Sequence, residues 1–276
     1  MKIISFNING IRAREHQLHA LKDVYDPDIV GIQECKVQDP DFPVEMVNNV
    51  GFQVEFFGQK AHYGVCLLGK QNPQVTEKGF PTDEEDAQRR MIIGHYPLAD
   101  GRTLKVLNGY FPQGENRDHP VKFPAKRQFY IDLMTYLNTH CDPADPIVLM
   151  GDFNIAPEDT DIGIGEQNAK RWLREGSTSF LPEEREWYQT LMDWGFLDTY
   201  RKIYPDSDEL YSWFNYRTRA FERDPKRGLR IDQILCTHSL IDSVTAAGID
   251  YEIRGMEKPS DHCPIWAEFD LEIVAD

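Results

Sequence analysis

Short apolar runs recur along the chain, and most of them end on a polar side chain. Ile3 to Ile8 is rich in β-branched residues and predicts a strand that ends near Asn7-Ile8-Asn9-Gly10. Ile11, Leu18, Leu21 and Val24 then follow helical spacing up to Pro27. Ile29 to Ile32 is a second apolar strand and runs into Gln33-Glu34. Phe52 to Phe57 and Gly64 to Leu68 predict two more strands, and 82–88 an acidic loop. Met91 to Tyr96 and Thr103 to Asn108 predict a hairpin around Asp100-Gly101, and its second strand leads into Gly109-Tyr110. Pro124 suits the first position of a helix whose buried stripe is Phe129, Leu133, Met134 and Leu137. Ile147-Val148-Leu149-Met150 reads as a strand buried on both faces, followed by Gly151-Asp152-Phe153-Asn154 and stopped by Pro157. Asn168 to Arg174 and Glu183 to Trp194 predict helices, the second between Pro182 and Gly195. Tyr211 to Tyr216 is an aromatic segment, Leu229 to Cys236 a strand with Asp232 inside it, and Pro264 to Phe269 a last strand after Ser260-Asp261-His262.

Strands and helices interleave, yet many strand pairs are joined by tight turns. That mixture predicts an α/β fold: one domain over residues 1–276 with two mixed sheets packed face to face and helices outside. A doubly wound nucleotide fold is disfavoured, because neither glycine-rich phosphate-binding turn is present. With 276 residues, 41% hydrophobic and 12% aromatic, the chain is able to fill a large core. The five cysteines form no Cys-x-x-Cys pair, which points to a reducing cytoplasm and away from a structural zinc site. Neither a signal peptide nor a run as long as a membrane span is expected.

The net charge of −16 argues at first against a nucleic-acid partner. Its distribution changes that. Between Arg217 and Arg230 lie six basic residues against Glu222 and Asp224, a local +4 that leaves −20 on the remainder. This island suits a polyanion, or it is a solvated charged loop.

One event repeats: a buried strand meets a residue of catalytic type. It happens at Asn7, Glu34, Tyr110, Asp152 with Asn154, and Asp261 with His262, while Asp232 sits within its strand. At Asp152 and Asn154, two residues apart, an extended chain would point both side chains at one spot. The alternative is an Asx turn in which both serve local backbone donors. Strand ends gathered on one edge of a sandwich would bring all these groups into one cleft. Glu34 and Asn7 offer oxygen ligands for Mg²⁺. Asp152 is suited to take the proton of an attacking water. His262 is suited to donate to a phosphate oxygen, with Asp232 fixing its tautomer. The missing serine elbow favours direct attack by water on a phosphodiester.

Six motifs carry a resemblance: Ser-Phe-Asn-Ile-Asn-Gly-Ile-Arg (5–12), Ile-Gln-Glu-Cys-Lys (32–36), Gly-Tyr-Phe-Pro-Gln-Gly (109–114), Gly-Asp-Phe-Asn-Ile-Ala-Pro (151–157), Gly-Leu-Arg-Ile-Asp (228–232) and Lys-Pro-Ser-Asp-His (258–262). In order, and over nearly the whole chain, they resemble the exonuclease III branch of the endonuclease/exonuclease/phosphatase superfamily. These are bacterial abasic-site endonucleases with the deoxyribonuclease I-like fold. The resemblance implies a four-layer α/β sandwich and a cytoplasmic, monomeric base-excision-repair enzyme that meets DNA at the nucleoid and no membrane. It implies Mg²⁺, with Mn²⁺ as substitute, and double-stranded DNA as substrate. Such an enzyme degrades DNA 3′ to 5′, cleaves 5′ to abasic sites and clears blocked 3′ ends such as 3′-phosphates. It further implies metal at Glu34 with Asn7 and Asp261 nearby, and Asp152, Asn154 and His262 at a second metal position. By the same resemblance Asp152 transfers the proton, Tyr110 is an active-site residue, Asn154 stabilises the transition state, Asp232 is a catalytic carboxylate and His262 contacts the phosphate. One metal or two, and Asp152 or the His262–Asp232 pair as base, both stay open. Trp213 and Phe214 would shape a pocket for the abasic deoxyribose, unless they are a core pair. Arg90, Gln113, Lys122, Lys126, Arg217 and Arg219 are expected phosphate or groove contacts. Two other readings compete: another phosphoesterase on the same fold, and an inactive DNA-binding relative.

Overall fold

A strand that is apolar on both faces needs cover on both sides. The chain provides it by packing one sheet on another. The computed structural model describes residues 1–274. The first sheet contains β1 (Lys2–Asn7), β2 (Ile29–Gln33), β3 (Gln53–Phe57) and β4 (Val65–Gly69). The second contains β5 (Val75–Lys78), β6 (Met91–Pro97), β7 (Thr103–Tyr110), β8 (Ile147–Asp152), β9 (Phe196–Asp198) and β10 (Asp232–Thr237). β11 (Val244–Ile249) and β12 (Ile265–Phe269) return to the first. Each sheet has six strands, in the orders β11-β12-β1-β2-β4-β3 and β5-β6-β7-β8-β10-β9. The helices are α1 (Glu15–Tyr25), α2 (Val44–Val50), α3 (Lys122–His140), α4 (Glu166–Glu175), α5 (Pro182–Trp194), α6 (Thr199–Ile203), α7 (His238–Ile241) and α8 (Tyr251–Arg254).

Side-chain alternation sorts the layers. Ile3, Ile29, Val106, Val148 and Met150 fill the space between the sheets. Their neighbours Ile4, Val30 and Ile32 face outward onto Leu18 and Leu21 of α1. On the other side Leu107 and Leu149 meet Leu133 and Leu137 of α3 and Leu191 of α5. The result is the four-layer α/β sandwich that the motifs implied. Among the described residues no helix is long and apolar enough to cross a membrane.

Pairing direction decides what reaches the functional edge. β1 and β2 run parallel with Asn7 opposite Gln33, so Asn7 lies beside Glu34. β7 and β8 also run parallel, and Tyr110 pairs with Asp152. β10 is antiparallel to β8, and Asp232 sits opposite Asp152. Asp232 is therefore the first residue of its strand, where the apolar run had placed it inside one. Two further expectations are corrected. α3 begins at Lys122, so Pro124 is its third residue, still in the first turn, whose amides need no partner. α2, β5, β9 and β11, which the pattern did not reveal, are short or only partly buried.

Candidate functional site

Gly151 sets the approach of β7 to β8. It has φ +147°, and a Cβ there would lie 1.9 Å from the Gly109 carbonyl oxygen. Only glycine lets the two backbones meet this closely. The next residue, Asp152, is thereby held beside Tyr110 at the sheet edge. Extended geometry then stops. Asn154 has φ 52°, the left-handed region, so it reaches the cleft through a turn and not through strand alternation. Its backbone N–H donates to Asp152 Oδ1 at 3.0 Å, as in an Asx turn, and its side-chain amide donates to the Phe111 carbonyl at 2.9 Å. The local turn and the functional cleft are thus the same structure.

Asp152 Oδ2 accepts from the Asn7 amide at 2.9 Å and lies 3.7 Å from His262 Nε2. The same Asn7 amide donates to Glu34 Oε1 at 2.9 Å, and the Lys36 ammonium lies 2.9 Å from Glu34 Oε2. His262 Nδ1 faces both oxygens of Asp232, at 2.9 and 3.1 Å. Asp232 is fixed in turn by the Ser212 hydroxyl, which accepts from the backbone N–H groups of Ile231 and Asp232 at 3.0 Å each. Ser260 ties the 258–262 loop to β1: its hydroxyl donates to the Asn7 carbonyl at 2.6 Å. Asp261 accepts from the Asn9 amide at 2.9 Å and from the Trp213 indole at 3.0 Å.

Burial makes these charges consequential. Asp152 and Asp232 are each 1% exposed and His262 is 4%. Burial pushes Asp152 up to about 7, with Asp232 and Glu34 adding to it while His262 and the Asn7 amide oppose it. Burial alone would lower His262, but the Asp232 and Asp152 carboxylates outweigh it and push the imidazole up to about 10. Burial, with Glu34 and Asp152, keeps the Tyr110 phenol well above its ordinary range, hence neutral and able to donate.

Two groups of side chains bear on cation binding. Asp152, Asp232 and His262 present atoms within 4.8 Å of one another, but Asp232 is occupied by His262 Nδ1. Glu34 has one oxygen on an amide and the other on an ammonium. A hard divalent ion suits such oxygen ligands, so the donor chemistry fits. The cleft itself holds about 200 Å³ and is lined by Glu34, Tyr110, Gln113, Asp152, Asn154, Asp261 and His262, with Trp172, Ser179, Trp213 and Ile231.

The sequence profile of the Endonuclease/Exonuclease/phosphatase family matches residues 4–262. The chain belongs to this family. Within the family, the chain is 56% identical over 269 residues to the exodeoxyribonuclease III of Haemophilus influenzae, covering 98% of this chain and 100% of the relative. It is 29% identical to an exodeoxyribonuclease of Bacillus subtilis, across 96% and 98% of the two chains. An AP endonuclease from Archaeoglobus fulgidus superposes with a TM-score of 0.87 at 31% identity over 98% and 99% of the two chains. A 3′ phosphatase from Neisseria, solved with a product DNA hairpin, gives 0.86 at 33% identity over 98% and 99%.

Of the expected surface contacts, several move inward. Phe214 is fully buried in the core between the sheets, so it is not offered to a ligand, whereas Trp213 is partly exposed on the cleft. Arg90 is 9% exposed, stacked between the Tyr63 and Tyr110 rings at 4.5 and 4.7 Å, with Nη1 donating to the Tyr110 carbonyl. The free cation expected there is instead a support for Tyr110. Lys126 is fully buried against Glu184. Gln113 stays exposed on the rim, and Arg217 and Arg219 are exposed, Arg219 paired with Glu222. Lys122 is exposed and paired with Glu115. The residues missed were Trp172, Ser179 and Ile231, together with Asn9, Ser212 and Ser260. Asn9, Ile231 and Ser260 lie inside the motifs at 5–12, 228–232 and 258–262 without having been singled out, and Trp172 stands out as a tryptophan on a strongly charged helix; Ser179 and Ser212 carry no such signal.

Proposed function

We propose that the protein is a Mg²⁺-dependent DNA-repair nuclease of the exodeoxyribonuclease III type. Its substrate is double-stranded DNA, degraded 3′ to 5′, incised at abasic sites and freed of blocked 3′ ends. The observation that carries this reading is the single cleft in which Glu34, Asp152 and the Asp232–His262 pair converge, in a chain matched end to end by an exodeoxyribonuclease III. A monomer acting in the cytoplasm completes the proposal.

Asp152, pushed up to about 7, is a base poised near neutrality for the proton of a water molecule. Asn154 fixes the turn beside that water. Asp232 accepts from His262 Nδ1 and so orients the ring with Nε2 toward the cleft, where the imidazolium donates to a phosphate oxygen. Tyr110, kept neutral, donates a hydrogen bond from its phenol to the same group. Glu34 and Asn7, with Asp261 lining the same cleft as Glu34, would hold Mg²⁺, which when bound would polarise the phosphoryl group and neutralise charge on the leaving oxygen. Mn²⁺ has the same preference for oxygen and would substitute. Duplex binding is supported by a second cleft of about 340 Å³ lined by Arg171, Arg223 and Arg227, which shares Trp172 and Trp213 with the first. Trp213 would probe for a missing base, where unstacking costs least.

A 3′-labelled duplex, with and without an abasic analogue, tests the reading in Mg²⁺ and in EDTA. Cleavage of both duplexes in Mg²⁺ and of neither in EDTA is expected. No Mg²⁺-dependent cleavage of either would refute it.

A further inference from the structure

Directly behind the cleft, on α3 and α5, lies an ion pair that the chemistry above does not use. Lys126 and Glu184 are both 0% exposed, with Nζ 2.5 Å from Oε1. Burying a charged pair costs several kcal/mol of desolvation per ion, and an apolar pair of similar volume is often as stable. Stability alone is therefore a weak reason for this pair, and its remaining hydrogen bonds give a better one.

The Lys126 ammonium donates to the Asn154 carbonyl at 2.8 Å and approaches the Gln113 carbonyl at 3.3 Å. The second Glu184 oxygen accepts from the backbone N–H groups of Ser179 and Leu181, both at 2.8 Å. The pair thus reaches three separate loops, and Gln113, Asn154 and Ser179 all line the cleft. Two of these residues hold conformations that L-amino acids rarely adopt: φ is 52° at Asn154 and 110° at Ser179. Such conformations cost about 1–3 kcal/mol each and persist where the surroundings over-determine them. Asn154 is fixed at every polar backbone atom, its N–H by Asp152 and its carbonyl by Lys126. The two strained segments are also joined directly, since the Ala156 N–H donates to the Ser179 carbonyl at 2.6 Å.

We infer that Lys126 and Glu184 are positioning residues: the pair locks the strained backbone at Asn154 and Ser179 into the cleft wall that the phosphodiester reaction requires. The inference rests on the nuclease reading and adds to it a part that touches neither substrate nor metal. It also gives Lys126 a task quite different from the phosphate contact expected of a basic residue here.

The test compares Lys126→Met with the double variant Lys126→Met/Glu184→Gln, using abasic duplex in Mg²⁺ well below each melting temperature. Lys126→Met leaves a buried carboxylate without its cation and is expected to melt lower. The double variant removes both charges yet keeps an acceptor for Ser179 and Leu181, so it recovers most of that loss. A misplacement of about 1 Å costs on the order of 100-fold in rate, so kcat in the double variant stays about 10–100-fold down while KM changes less than about threefold. Return of kcat to the wild-type value along with stability would overturn the inference and leave the pair a purely structural one. Wild-type protein that cleaves nothing would instead refute the nuclease reading. Hydrogen exchange over 152–156 and 177–181 then still decides the positioning claim: selectively faster exchange in the double variant supports it, and unchanged exchange refutes it.

Discussion

Replacing Asp232 by Asn removes one negative charge and almost no volume from the pair that orients His262. In the wild type both carboxylate oxygens face Nδ1, at 2.9 and 3.1 Å, and both residues are nearly solvent-free. Truncating one partner of a buried charged pair costs about 3–5 kcal/mol. Borne wholly by the transition state, that is a rate loss of about 10²–10⁴. The pH profile gives the sign. The raised value of about 10 keeps His262 cationic through neutral pH. Without the carboxylate the imidazole falls back toward its ordinary value of about 6.5, so the cation is lost as pH rises through neutrality. Single-turnover cleavage of abasic duplex in saturating Mg²⁺ should therefore show Asp232→Asn losing activity with rising pH where the wild type does not. Because Asp232 acts through His262, the double variant Asp232→Asn/His262→Ala should cleave within about threefold of His262→Ala alone. Fully additive losses would refute the idea that the two form one unit.

Two further outcomes follow from other parts of the molecule. Gly151→Ala places a Cβ 1.9 Å from the Gly109 oxygen, so it should destabilise the fold by about 3 kcal/mol or more. Thermal melting should then fall by about 6–12 °C. Arg217→Ala removes an exposed cation beside the basic cleft, so the salt slope of duplex binding should shrink by about one. The wild-type slope itself should be modest, because the chain is acidic overall, with a net charge of −16.

The fold was legible because the apolar runs are unambiguous: β1, β2, β6, β7 and β8 fall where alternation and β-branching put them. The site was legible as a list of strand ends, since parallel β1–β2 and β7–β8 pairs must deliver Asn7, Glu34, Tyr110 and Asp152 to one edge. Conformation beyond the strands was not. No period announces that Asn154 turns left-handed, or that the Asp232 carboxylate opens β10. Burial of polar residues was equally hidden. Lys126 and Arg90 look like surface cations in the sequence, and only tertiary contacts with Glu184, Tyr63 and Tyr110 reveal them as interior supports. Phe214 and Trp213 are adjacent and similar, yet an isolated bridge to His262 leaves the indole on the cleft and the neighbouring ring in the core.

The most direct test of the central claim is Asp152→Asn. The amide is nearly isosteric and keeps an oxygen for the Asn154 N–H, but it accepts no proton from water. Binding of an abasic-analogue duplex without turnover should stay near wild type, while Mg²⁺-dependent cleavage should fall by about 10²–10⁴. Near-normal turnover in this variant would remove Asp152 from the proton-transfer role and contradict the account of the cleft.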